Sequence, residues 1–145
     1  MDFYFRRAQD SDLPFLMDLR RQTMDAHIIR AGLFPSEDSH WQRIHYRFDC
    51  AQIIICNHID AGLLKVVREG DVWDLVQIQL IPSLQGKGIG RSIIAAIMED
   101  AVAKKAGIKL SVFKSNPARN LYEFLGFKTY AETEATFEMQ VSNKG

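Results

Sequence analysis

The sequence predicts an α+β domain with element order βα(α)βββαβαββ. Three observations predict it. Strand-type runs fill the middle of the chain, from Gln52 to Leu80, with only short turns between them. One long helix with a broad apolar face, Ile89 to Lys105, follows directly. After it the pattern reads strand, helix, strand, strand. A length of 145 residues suits one domain with a real core, expected to span 1–145.

The elements follow in order. Phe3-Tyr4-Phe5-Arg6 reads as a first strand. Asp10-Ser11-Asp12 offers N-cap chemistry and Pro14 fits a first helical turn. Leu13, Leu16, Met17, Met24, His27 and Ile28 recur at helical spacing, so a helix runs to about Arg30, ended by Gly32 and Pro35. Ser36-Glu37-Asp38-Ser39 starts a second helix carrying Trp41, Ile44 and Phe48. Gln52 to Cys56 is a β-branched strand, and Asn57-His58 turns into a strand near Gly62 to Val67. Glu69-Gly70-Asp71 turns into the strand Val72 to Leu80. In the long helix Ile89, Ile93, Ile97 and Ala101 fall four apart, with Ile94 and Met98 alongside, and Gly107 is a natural stop. Lys109 to Phe113 is a strand. Asn116-Pro117 opens a last helix through Phe124, closed by Gly126. Phe127 to Ala131 and Ala135 to Val141 read as the final strands.

Composition bounds the function. Eighteen basic residues balance eighteen acidic ones, so no global field favours nucleic acid or an anionic membrane. No apolar run is long enough to span a bilayer, and no signal peptide is read. Cys50 and Cys56 are expected to be free thiols, with the cytoplasm as the expected location. The four histidines make no metal pattern, because His40 and His45 are five apart and leave one helical face. No metal is expected.

The most informative segment is the strand-to-helix junction Gln85-Gly86-Lys87-Gly88-Ile89-Gly90-Arg91. Three glycines there leave bare backbone N–H groups at a helix N-terminus, which favours anions, phosphates above all. The spacing does not fit a P-loop, and a dinucleotide fingerprint would need a small residue at Arg91. A second motif lies downstream: Asn116-Pro117-Ala118-Arg119-Asn120-Leu121-Tyr122-Glu123-Phe124-Leu125-Gly126-Phe127. Together, in this order and separated by one helix and one strand, the two resemble the signatures of the GNAT N-acetyltransferase superfamily. Gln85, Gly88 and Gly90 fill the places of that family's acetyl-CoA pyrophosphate loop. The clear resemblance covers about Ile78 to Phe127.

The resemblance implies the fold of that family, an α/β/α sandwich on a mixed, mostly antiparallel central sheet, and an acetyl-CoA-dependent N-acetyltransferase, with acetyl-CoA as cosubstrate and a primary amine of a small molecule or peptide as acceptor. It implies that Ile78, Gln79 and Leu80 present backbone groups to the pantetheine and acetyl carbonyl, and that Gly86 to Arg91 hold the pyrophosphate. It implies that Asn116 bonds the pantetheine arm and that Tyr122 protonates the leaving thiolate. The chemistry explains why such groups are needed. An alkyl amine is neutral in only about one molecule in a thousand at pH 7, so a proton must be taken from it. Asp74 and Gln77 are the candidates for relaying that proton. The attack also builds negative charge on oxygen that needs aimed N–H donors.

Two departures from the family pattern stand out. The interval from Asn116 to Tyr122 is six positions where the family more often has seven. Ser111 stands where some relatives that acetylate protein N-termini carry a glutamate, which disfavours that substrate. His27, Trp41, His45 and Gln77 are the substrate-side candidates, with the region Thr23 to Phe48 expected to border the acceptor. The alternative reading is a CoA-binding sensor or partner module with little transferase activity; retention of Tyr122 favours the enzyme. The acceptor is not identified by the sequence, and a homodimer stays open.

Overall fold

The computed structural model describes residues 2–142; residue 1 and residues 143–145 of the expected 1–145 domain lie outside it. The order is β1 (Phe3–Arg7), α1 (Leu13–Arg30), α2 (Glu37–His45), β2 (Ala51–Cys56), β3 (Ile59–Val67), β4 (Val72–Leu80), α3 (Ile89–Ala103), β5 (Gly107–Phe113), α4 (Ala118–Phe124), β6 (Lys128–Glu132) and β7 (Thr136–Val141). All seven strands form one sheet in the order β1-β2-β3-β4-β5-β7-β6. Every neighbouring pair is antiparallel except β4 and β5, which are joined through α3 and run parallel. Alternation of side chains across the pleat gives the sheet two apolar faces. On one, Ile54, Leu64, Leu75 and Leu110 pack against Ile89, Ile93 and Ile97 of α3. On the other, Ile53, Ile55 and Leu63 pack against Leu16 and Leu19 of α1 and Ile44 of α2. The predicted α/β/α sandwich is the observed one.

Three local expectations are corrected. First, α2 ends at His45 and does not reach Phe48, which lies in a 3-10 turn, Phe48–Cys50. The cause is distant in sequence. The Lys65 ammonium, fully buried on β3, donates to the carbonyls of Arg43, Ile44 and Tyr46 at 3.0, 2.8 and 2.6 Å. A cation there complements the negative end of the helix and uses up the carbonyls that further helical turns would need. Burial, aided by the Arg43 and Arg20 guanidiniums, pulls the Lys65 pKa down to about 8.

Second, α3 stops at Ala103 rather than at Gly107. Lys105 takes a left-handed conformation (φ 58°), while the Ala106 and Lys105 N–H groups bond back to Ala101 and Val102 at 2.8 and 3.0 Å. This is a Schellman closure with lysine where glycine is usual. Gly107 instead opens β5, where a Cβ would come 2.8 Å from the Val141 carbonyl oxygen of β7. Third, Asp12 does not cap α1. Its carboxylate accepts the Gln9 N–H at 2.8 Å and both terminal nitrogens of Arg6 at 2.9 and 2.8 Å, tying β1 to a 3-10 turn before the helix.

Cys50 is a half-buried and Cys56 a buried free thiol. No helix among the described residues is long and apolar enough to cross a membrane. A further glycine has a structural task that the sequence pattern did not show. Gly62 of β3 faces β4 so closely that a Cβ would overlap the Gln79 carbonyl oxygen. Gly62→Ala is therefore expected to cost about 3 kcal/mol, at the upper end of ordinary overpacking, read as a lower urea midpoint with an unchanged m-value.

Candidate active site

The site begins with a defect in the sheet. β3 pairs Val66 with Leu75 and Lys65 with Gln77, leaving Val76 of β4 as an extra residue. Such a bulge bends its strand and re-aims the residues after it. It puts Gln77 on the same face as Lys65, although Leu75 faces the opposite core. β5 stays in unbroken register with β7 from Ile108 to Phe113. β4 and β5 consequently pair only at Val72–Gly107, Trp73–Ile108 and Asp74–Lys109 and then separate. The edge of β4 from Leu75 to Leu80 that faces β5 has no strand partner. Backbone N–H and C=O groups left open in this way call for a ligand or water.

Two cavities meet at the splay, of about 480 and 650 Å³, and share Met24, Ile78, Gln79, Asn116 and Tyr122. The larger is built on the glycine loop. Gly86 and Gly88 adopt φ of 74° and 83°, a region other residues rarely enter. No atom lies within 4 Å of where a Cβ would stand on either. The first backbone bond of α3 runs from Ser92 N–H to the Gly88 carbonyl, so the N–H groups up to Arg91 precede the helical ladder. The first turn of α3 holds no acidic residue, whereas that of α2 holds Glu37 and Asp38. An open cradle of free donors at a positive helix end fits a pyrophosphate-bearing group.

The residues of the loop divide the work. Gln85 does not point outward; its Nε2 donates to the Leu80 carbonyl at 3.0 Å and closes the loop on the end of β4. Gly86, Gly88, Gly90 and Arg91 line the cavity, and the Arg91 guanidinium lies over the Phe124 ring at 4.5 Å. Lys87 is exposed and not part of the lining. Ile89 is 3% exposed and anchors the helix in the core, leaving only its N–H to the site. Leu80 and Gln79 are buried and Ile78 half-buried along the same wall.

Tyr122 stands where the cavities join. It is 7% exposed, with its ring against Phe127 at 5.7 Å. Its hydroxyl has no hydrogen-bond partner among the described residues. Burial alone pushes its pKa up to about 12. Asn116 shapes the turn into α4: its Oδ1 accepts the Ala118 N–H at 2.9 Å. The amide nitrogen of Asn116 has no partner among the described residues.

The smaller cavity holds the carboxylates. Gln77 lines it, 5% exposed, with its Oε1 buried and unpartnered. Burial raises the Asp74 pKa, an effect opposed by Lys109 and Arg43. Glu138 also lines it, and its Oε2 accepts the hydroxyls of Ser111 and Thr136 at 2.7 and 2.8 Å. The position where sequence reasoning found Ser111 and no base therefore has a carboxylate beside it, supplied by the paired residue of β7. Cross-strand pairing was not available from the sequence alone.

The substrate-side candidates are not brought together. His27 lines the larger, loop-side cavity; its Nδ1 meets Ser115 Oγ at 2.8 Å and its ring stacks on Phe113 at 6.3 Å. Burial, with Arg30 nearby, lowers its pKa. Trp41 is 48% exposed and packs on His45 at 4.1 Å, and neither lines either cavity. Trp41→Ala is thus expected to leave fold and acceptor KM within about twofold of wild type, as exposed substitutions usually do. Thermal melts and steady-state kinetics check this. Sequence reasoning missed Arg20 and Arg43, both in the smaller cavity. A signal for Arg20 existed: it lies four residues after Leu16, on the stripe of α1 that faces inward. Among the described residues no group of three metal-ligating side chains gathers.

Comparison with known proteins adds to this geometry. A family profile described as acetyltransferase (GNAT) domain matches residues 49–129. No curated protein sequence matches the chain. Among solved structures, the chain is similar to the PaiA N-acetyltransferase of Thermoplasma acidophilum in complex with coenzyme A, at 17% identity and TM-score 0.74, covering 98% of this chain and 99% of that one. It is similar to the ribosomal-protein-S18-alanine N-acetyltransferase of Escherichia coli, at 20% identity and TM-score 0.70, covering 99% and 96%. It is also similar to a spermidine N-acetyltransferase of Vibrio cholerae in complex with CoA and spermine, at 19% identity and TM-score 0.69, covering 97% and 95%.

Proposed function

The chain belongs to the acetyltransferase (GNAT) domain family, with acetyl-CoA as cosubstrate, and from that premise we propose that it acetylates the primary amine of a small molecule or peptide by direct attack. One observation carries the reading: the buried Tyr122 ring sets an unpartnered hydroxyl at the junction of a phosphate-type cradle and a second cavity lined by carboxylates. Acetyl-CoA supplies an activated thioester, whose acetyl group passes to the amine.

The chain's own residues do the rest. Gly86, Gly88, Gly90 and Arg91 hold the pyrophosphate from the larger cavity through backbone donors and one guanidinium. The unpaired edge of β4 at Ile78 and Gln79 offers backbone groups at the splay. Asp74 is the proton acceptor, directly or through water. It has no side-chain hydrogen-bond partner among the described residues, and burial raises its affinity for a proton. Glu138 is less suited, because two hydroxyls already occupy its Oε2. Tyr122 keeps its proton across the neutral range and is placed to give it to a departing sulfur.

An amine panel incubated with acetyl-CoA tests this, with thiol release measured against an amine-free blank. Acceptor-dependent release is expected. Tight CoA binding with no release above the blank would instead support the sensor or partner-module reading.

A further inference from the structure

The smaller cavity contains a cation that the chemistry of amine transfer does not use. Arg20 of α1 is 6% exposed and lines this cavity but not the larger one. Its Nε donates to Nδ1 of His40 at 2.9 Å, and His40 Nε2 lies 2.6 Å from Asp25 Oδ1. An arginine only donates, so His40 Nδ1 is the acceptor here. With Nδ1 accepting, His40 donates its Nε2–H to the Asp25 carboxylate. His40 is itself fully buried, which fixes the whole chain Asp25–His40–Arg20.

This relay orients the guanidinium, with the Asp25 carboxylate acting on it only from across the imidazole. Arg6, Arg21 and Arg47 each meet a carboxylate within 3.1 Å. Arg20 meets an imidazole instead, and neither of its terminal nitrogens has a hydrogen-bond partner among the described residues. A buried charge with no direct counter-ion is costly unless a ligand completes it. Burial and the neighbouring Arg43 lower the Arg20 pKa only to about 10, so it stays charged at neutral pH. Arg43 lines the same cavity and adds a second cation.

We infer that Arg20, with Arg43, binds a carboxylate carried by the acceptor, so that the amine substrate is an amino acid or a similar amino-carboxylate. The inference rests on the acetyltransferase reading of the same site. With Nε taken by His40, the guanidinium keeps its two terminal nitrogens, whose N–H groups can meet a carboxylate in a bidentate pair. Asp74, lining the same cavity, suits the amine end. The cavity thus places donors for an anion and acceptors for an ammonium in one space, a pattern complementary to a zwitterion.

The experiment compares matched pairs at fixed acetyl-CoA: phenylalanine with phenethylamine, histidine with histamine, lysine with cadaverine, and glutamate with 4-aminobutyrate as a two-to-one carboxylate pair. In wild type the acid richer in carboxylate is expected to win by at least about tenfold in kcat/KM for the pair whose side chain fits, through KM. Arg20→Met, and Arg20→Gln if the methionine variant does not fold, should bring that ratio to within about twofold while kcat for the decarboxylated amine is kept. Equal or better use of the decarboxylated amines by wild type overturns the inference and leaves the acetyltransferase reading standing. Preference for phosphoethanolamine over every carboxylate would overturn the carboxylate assignment. Thiol release with no compound of any kind would remove the acetyltransferase reading and this inference with it.

Discussion

Gly90→Asp is expected to abolish acetyl-CoA binding in a protein that folds as well as wild type or better. Gly90 is the second residue of α3 and does not have a positive φ, and the nearest atom to its notional Cβ is Leu80 Cδ1 at 4.0 Å. The side chain therefore enters open space without strain. An acidic residue in a first helical turn is favourable to the helix itself, by about 0.3–1 kcal/mol. Glycine is also among the poorest helix formers. Toward a pyrophosphate the same carboxylate is repulsive. Two unit charges about 4 Å apart at an effective dielectric of about 20 repel by about 4 kcal/mol, roughly a thousandfold in affinity. Titration calorimetry with acetyl-CoA and a parallel melt read the two effects separately. Gly88→Asp is the less clean variant, because φ of 83° would strain any side chain placed there. Unchanged affinity in a folded Gly90→Asp protein would sink the assignment of the loop.

What could be read from the chain, and what could not, divides by range. The limits of α1 at Arg30 and of β4 at Val72 and Leu80 follow from local punctuation, by glycine, proline and acidic turn residues, and the structure has them there. The glycine loop was legible because its free N–H groups depend on a few consecutive residues. The end of α2 was not, because a lysine twenty residues downstream consumes its last carbonyls. Gly107 read as a helix stop because glycine usually is one; its task is set by a carbonyl of β7. The candidate site shows the same division. Tyr122 and the β4 wall came with the motifs. Arg20, Glu138 and the bulge at Val76 depend on which strand or helix lies alongside, which no local pattern encodes. Trp41 misled because a tryptophan beside apolar residues suggests a wall, yet it sits half-exposed on the outer face of a short helix.

Tyr122→Phe is expected to keep acetyl-CoA affinity and lower kcat about 10²-fold, within the usual range for one proton donor. The substitution removes an oxygen that has no partner among the described residues, so the fold loses no hydrogen bond and the Phe127 contact persists. The pH dependence separates this role from a packing role. Burial holds the phenol protonated up to about pH 12, so Tyr122 contributes no falling limb to the rate below that value. The variant should show a lower plateau and an unmoved rising limb, since the rising limb reports amine and base. Stability supplies an independent signature. The folded pKa is raised above the ordinary tyrosine value of about 10. The unfolded chain therefore releases this proton first, and wild-type stability falls as pH rises from about 10 to about 12. Below about pH 10 both states hold the proton and the contribution is fully present. Tyr122→Phe should lack this component of the alkaline decline in urea melts. A variant with full turnover across the pH range, yet with the altered alkaline stability, would leave Tyr122 as a core residue whose hydroxyl merely faces the cavity.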